Sequence, residues 1–165
     1  MSTVPIKRQS YLSFNLGEEK FATNELRVRE VLKVTKITIV PDTPPFVRGI
    51  TNLRGMIMPV IDTRIKCGMV SVPTTQDSCL LVLTITKSNE KQSEFITIGA
   101  LVDSVIEVFE ADQHQIKSLP IINSEYQDKF IQGTFKIGDD FIMYLNIDEL
   151  FSLDEKENLS HLGLQ

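Results

Sequence analysis

The 165-residue sequence predicts an all-β fold arranged as two similar five-stranded barrels with a short C-terminal helix. The first observation behind this is a succession of short alternating or apolar runs bounded by turn residues, with almost no long helical period. A second is a pair of hairpin signals, Leu53-Arg54-Gly55-Met56 and Gly138-Asp139-Asp140, each between β-prone runs. The third is a weak repeat. Phe46-Val47-x-Gly49-x-x-x-Leu53 matches Phe130-Ile131-x-Gly133-x-x-x-Ile137, and Val28-x-Glu30-Val31 matches Val105-x-Glu107-Val108. Ile57-Met58 before Asp62 likewise resembles Ile142-Met143 before Asp148. Unequal offsets imply an old duplication with a loop insertion; chance matching among apolar strands is the alternative. The whole chain, 1–165, reads as one domain, with halves at about 10–66 and 78–151.

Taken in order, Tyr11 to Leu16 alternates as a half-buried strand, Gly17-Glu18 turns it, and Lys20 to Thr23 returns. Asn24 can cap a single helical turn through Leu26 and Arg27. Val28 to Leu32 and Ile37 to Val40 are β-branched strand signals, followed by a stiff loop at Pro41, Pro44 and Pro45. Gly55 supplies the positive φ of the turn into Met56–Ile61, and Pro59 predicts an edge or a bulge in that strand. Asp62 caps a helical turn through Lys66, and Cys67 to Asp77 reads as the connector between halves.

Leu80 to Ile85 is apolar on both faces, a strand buried on both sides. A polar loop from Thr86 to Glu94 leads to two strands between Phe95 and Val108, punctuated by Gly99 and Asp103-Ser104. Glu110 to Gln115 is turn-like, and Phe135–Ile137 pairs with Phe141–Ile147. Asp148 to Phe151 starts a helix with acids where its dipole favours them, and Ser152 to Gln165 reads as a loosely docked tail, dispensable for folding beyond Leu153.

Composition narrows the function. No apolar run reaches the roughly 20 residues that span a bilayer, and no signal core precedes residue 10. Up to Lys66 there are eleven Lys and Arg against six Asp and Glu; beyond it there are six against sixteen. This asymmetry points to complementary protein partners and unlike molecular ends, or to charges that interleave in space. Cys67 and Cys79 lack metal spacing and read as free thiols. His114 and His161 have no partners at ligand spacing, so no metal site is expected. Gly49 to Gly55 lacks the Lys-Ser/Thr and following helix of a phosphate loop, and no nucleophile has its base. No enzyme and no cofactor are expected. Arg54 is the one side chain at its turn able to make directional charged contacts; it is either a solvated turn residue or a partner contact.

Asn52-Leu53-Arg54-Gly55, an apolar run with Pro59, and Asp62-x-Arg64 together resemble the signature of the CheW family. Glu25–Val31, Pro44-x-Phe46-x-x-Gly49 and Ile98-Gly99-x-x-Val102-Asp103-x-Val105-x-x-Val108 extend the resemblance from about Tyr11 to Phe151. It implies two SH3-like barrels with a shared core, no enzymatic activity, and a scaffold role coupling bacterial chemoreceptors to the histidine kinase CheA. The implied partners are the cytoplasmic tips of chemoreceptors, in a groove between the barrels, and the regulatory domain of CheA, at barrel ends. Neither nucleic acid nor membrane insertion is implied. The place of action would be cytoplasmic, at receptor arrays on the inner face of the membrane.

Carried over by residue, Val28, Glu30 and Arg54 fall on partner-contact positions, and Val102, Val105 and Val108 would line the receptor groove. Gly49, Gly55 and Gly99 fall on structural positions. The loop Lys87 to Glu94 is longer than in many members, and Phe21-Ala22-Thr23-Asn24 replaces a commoner aromatic-Gly/Ala-apolar-Asp. The absence of a following receiver domain argues against the longer CheW–receiver fusions. An equivalent adaptor of a non-flagellar pathway such as twitching motility fits the same residues. A small-barrel nucleic-acid binder is the alternative of another class; it would need aromatics interleaved with Lys and Arg on one sheet face.

Overall fold

A computed structural model describes residues 8–87, 94–117 and 130–163. Eleven strands account for most of these: β1 (Arg8–Leu16), β2 (Glu19–Asn24), β3 (Val28–Lys33), β4 (Val47–Leu53), β5 (Met56–Asp62), β6 (Cys79–Thr86), β7 (Phe95–Val102), β8 (Ser104–Asp112), β9 (Ile116–Lys117), β10 (Ile131–Ile137) and β11 (Asp140–Leu145). Helix α1 spans Thr63–Lys66 and helix α2 spans Leu153–Leu162. The Asn24 side chain accepts from Leu26 N–H at 2.9 Å and caps a 3-10 turn, Glu25–Arg27. Asp62 caps α1 through Ile65 N–H. Both caps lie where the sequence placed them.

The strands form two sheets, in the orders β8-β1-β2-β11-β10-β9 and β3-β6-β7-β5-β4. Neither sheet is a sequence half. The hairpin β1–β2 leaves the strands that follow it and pairs with β8 and β11, whereas β6–β7 pairs with β3 and β5. The two hairpins are thus exchanged, and the division at 66 and 78 cuts through the second sheet. The connector 67–77 accordingly joins α1 to β6 within one sheet. Both sheets draw on the basic and the acidic segment, so barrel ends of opposite charge do not follow from the sequence asymmetry.

Three features nonetheless recur at the matched positions. A bulge interrupts β3 between Val28 and Glu30, and another interrupts the β1–β8 ladder next to Val105 and Glu107. Asp62 N–H bonds the Phe46 carbonyl at 2.7 Å, and Asn146 N–H bonds the Phe130 carbonyl at 2.7 Å. Each of β5 and β11 then pairs in parallel with the second strand of the exchanged hairpin.

One core cluster lies between the sheets. It joins Leu12, Phe14 and Leu16 of β1 to Leu81, Leu83 and Ile85 of β6, Ile96 and Ile98 of β7, and Leu159 of α2. Each such side chain contributes about 1.5–3 kcal/mol by leaving water. Smaller clusters fill each sheet's own interior, around Tyr11 and Phe135 in the first and Val60 and Leu80 in the second. β6 is buried on both faces, as its continuous apolar run predicts.

Several local expectations change. Ile37–Val40 is not a strand: only Thr38 bridges to Ile50, and Ile39 is 81% exposed. β7 runs through Gly99 unbroken and ends at Val102. Pro59 lies in an inner strand, but the parallel pairing to β7 begins only at Val60, so the missing N–H falls where β5 has one neighbour. Residues 148–151 do not start the C-terminal helix. Ser152 does, through a reciprocal capping box with Glu155, and the expected tail is α2. The inner part of the loop after Lys87 lies outside the described residues.

Candidate functional site

The turn between β4 and β5 has positive φ at both central residues, 50° at Arg54 and 85° at Gly55. Two-residue hairpin loops of this kind match the twist of the strands they join. The Asn52 carboxamide oxygen accepts from Gly55 N–H at 2.8 Å and closes the turn. The Arg54 side chain is 69% exposed, yet it is not free. Its two terminal nitrogens bond both Glu30 oxygens, at 2.8 and 2.6 Å. In β3, residues 28, 30 and 32 are half-buried and 29, 31 and 33 exposed; across the bulge Val28 packs on the inter-sheet core, while Glu30 shares the face of Leu32, which packs on Val60 and Leu80. The Arg54 hydrogen bond, then its charge, hold the Glu30 carboxyl below the ordinary carboxylate range.

The valines separate. Val28 and Val105 are half-buried against the inter-sheet core. Val105 and Val108 are three apart, which would put them on opposite faces of a regular strand. The β8 bulge corrects this, and they face Phe14 and Leu12 on the same side. Val108 is 51% exposed, so it offers apolar surface at the rim of that core. Val102 is 1% exposed, inside the main core. Its position at the end of β7 turns it inward, so it packs the interior and does not line an open groove. Gly55 has open space around it; Gly99 lies under Met58, whose Cε would sit 2.9 Å from an added Cβ.

A model of the CheW-like domain matches residues 10–155. The chain belongs to the CheW family. It is similar to the chemotaxis protein CheW of Klebsiella aerogenes, 29% identical over 89% of this chain and 84% of that protein. It is also similar to CheW of Rhizobium meliloti, 29% identical over 88% of this chain and 89% of its relative. The crystal structure of the scaffolding protein TtCheW from Thermoanaerobacter tengcongensis superposes with a TM-score of 0.77, at 31% identity, covering 92% of this chain and 97% of the other. The two sheets are the two SH3-like barrels of that family, the first carrying the additional two-residue β9. CheW proteins are chemotaxis adaptors, a scaffold family without enzymatic activity.

Among the described residues no three His, Cys, Asp or Glu side chains gather as a metal site, and no helix is long and apolar enough to cross a membrane. Burial pushes the Cys67 thiol up to about 12, with Lys66 opposing only in part, so it stays protonated and unreactive at neutral pH. His161 makes an exposed pair with Glu157 at 3.2 Å.

The sequence marked Glu30 and Arg54 as contacts without showing that they touch each other across 24 residues. It missed the partners of Arg27, next to Val28, and of Asp103, two residues before Val105. Arg27 bonds Asp148, 121 residues away, and Asp103 bonds Arg64, 39 residues away. Separations of that size leave no trace in local pattern.

Proposed function

We propose that this chain couples chemoreceptors to the histidine kinase CheA as a non-enzymatic adaptor. The observation that carries the reading is the Glu30–Arg54 pair. An exposed arginine fixed in a tight turn by a two-point ion pair is a preorganised contact surface, and its charge is already neutralised. A partner then meets a planar guanidinium in one orientation, without first ordering a flexible side chain. The CheA regulatory domain is the partner assigned to this barrel end. Chemoreceptor tips are assigned to the core rim at Val28, Val105 and Val108, where apolar surface is open to a helical partner. Such an adaptor works in the cytoplasm at receptor arrays on the inner membrane face.

Reconstituting a receptor and its kinase with and without this protein tests the reading. Receptor-controlled kinase phosphorylation should appear only when the protein is present. Equal control in both mixtures would sink the proposal.

A further inference from the structure

Among the described residues the chain passes from one sheet to the other at two places. One is the 3-10 turn Glu25–Arg27 between β2 and β3; the other is the single residue Asp103 between β7 and β8. Both crossings are clamped by an arginine–aspartate pair. At the second, Arg64, which follows β5 in α1, bonds Asp103 through Nε at 2.9 Å and through Nη2. The same carboxylate accepts Gly17 N–H, from the turn of the β1–β2 hairpin, at 2.6 Å. At the first, Arg27 bonds Asp148, which follows β11, at 2.6 Å. The other oxygen of Asp148 accepts Thr86 N–H, at the turn end of β6, at 2.9 Å.

The two clamps occupy corresponding places in the two barrels, with opposite polarity, although the crossing residues are one position out of register with the Val28–Val105 match. Each joins a crossing residue to a residue just after the parallel-paired strand of a hairpin, and each carboxylate takes a backbone N–H from an exchanged hairpin. In one the crossing residue is the acid; in the other it is the base. Duplication alone would have kept the sign. What both places retain is the charge-assisted link, whichever side carries the carboxylate. Val28 directly follows Arg27, and Val105 lies two residues after Asp103.

We propose that Arg27–Asp148 and Arg64–Asp103 are positioning pairs that fix the angle between the two barrels, and with it the spacing of Val28 and Val105. The link to receptor contact rests on the function proposed above; the link to barrel geometry does not. The pairs themselves need not touch a partner.

Electron–electron distance measurements between spin labels on cysteines replacing Lys33 in β3 and Lys136 in β10, both exposed, read the angle directly, in a background with Cys67 and Cys79 changed to Ala. Asp103→Asn and Arg27→Gln should each broaden the distance distribution. Reversing the first clamp, Arg27→Asp with Asp148→Arg, should narrow it again. Affinity for a chemoreceptor cytoplasmic-tip fragment should fall about fivefold or more in the two single variants. Affinity for the CheA regulatory domain, assigned to the Arg54 turn, should stay within about twofold of the parent, since that turn is held by Glu30 and by neither clamp. An unchanged distance distribution in both single variants overturns the positioning role. A broadened distribution with unchanged tip affinity leaves the clamps in place and overturns the assignment of receptor contact to Val28 and Val105. If Asp103→Asn does not fold, Arg27→Gln and the reversed pair at the other crossing decide the matter, and failure of the reversed pair to narrow the distribution refutes the equivalence of the two polarities.

Discussion

Gly49 and Gly133 hold the same place in the two halves, each at a bulge and each beneath a carbonyl. A Cβ on Gly49 would lie 2.1 Å from the Thr38 oxygen, and one on Gly133 would lie 2.5 Å from the Lys117 oxygen. Ile37 Cγ2 and Ile116 Cγ2 close the same side, at 3.0 and 2.7 Å. Two backbones therefore approach more closely than any side chain permits, and they do so twice, 84 residues apart as the repeat requires.

Gly49→Ala and Gly133→Ala should each destabilise by about 1–3 kcal/mol or more, because the obstacle is backbone and cannot turn away. Gly55→Ala should cost about 1–2 kcal/mol for the left-handed conformation alone, since no atom lies within 4 Å of its Cβ. Urea denaturation of the three variants ranks them. A Gly55 variant less stable than both others would contradict the close-approach account.

Arg54→Ala and Glu30→Gln should melt with the parent and bind the CheA regulatory domain more weakly. Arg54 is largely exposed and the half-buried Glu30 belongs to none of the core clusters, so loss of the pair leaves the core untouched. Glu30→Gln is the sharper variant, because it keeps the shape and frees the guanidinium from its orienting partner. Calorimetric titration beside thermal melts gives the answer; normal binding by both variants would remove the turn from the interface.

Stability should fall on acidification. Burial raises the pKa of the Asp103 carboxyl, but the hydrogen bonds from Arg64 and Gly17 N–H and the Arg64 charge outweigh it, so it titrates below its ordinary 3.8. Glu155 is likewise raised by burial and lowered further by Lys66 and Ser152, ending below 4.5. A carboxyl whose folded pKa is depressed adds stability above its unfolded value and loses it as pH falls toward the folded one. Urea midpoints should hold near neutrality and decline from about pH 4.5 downward. Asp103→Asn with Glu155→Gln should lose less over that range; an unaltered slope would mean other groups govern it.

Ending the chain after Ser152 should destabilise the protein. Helix α2 buries Leu159, 1% exposed, against the inter-sheet core, and Glu155 holds Lys66 at 2.8–2.9 Å while the Lys66 ammonium lies over the rings of Phe46 and Phe151. Leu159→Ala alone should cost about 2–5 kcal/mol. A truncated protein with the parent's denaturation midpoint would return this segment to the status of a tail.

Thr23 and Thr63 carry buried hydroxyls with no hydrogen-bond partner among the described residues. Replacing each by Val, of nearly the same shape, should be neutral or stabilise by about 1 kcal/mol. Marked destabilisation of either variant, measured by denaturation, would mean that its hydroxyl is satisfied in solution.

Local chemistry made much of the fold readable. Asn24 and Asp62 announce their caps, Gly55 its turn, and the unbroken run of β6 its burial on both faces. Ile37–Val40 misled because β-branching favours a strand without supplying a neighbour. Helix α2 was obscured by having only Leu153, Leu159 and Leu162 as apolar residues, although Ser152 and Glu155 held the capping-box spacing. Pairing within the hairpins was readable from their turns, but pairing between distant strands was not: alternation says which face is buried and not which strand lies alongside. For the same reason Val102 and Val108, alike in type, could not be assigned to interior and rim.

The exchanged hairpins also order events during synthesis. The barrel of β3 to β7 is complete once residue 102 has left the ribosome, whereas the other cannot close until β11 emerges some forty residues later. During that interval β1–β2, the first hairpin made, can add only β8 at its β1 edge, and the β2 edge that β11 will cover is open to other nascent chains. A stall in translation between β8 and β10 would thus leave that edge exposed to association for as long as it lasts.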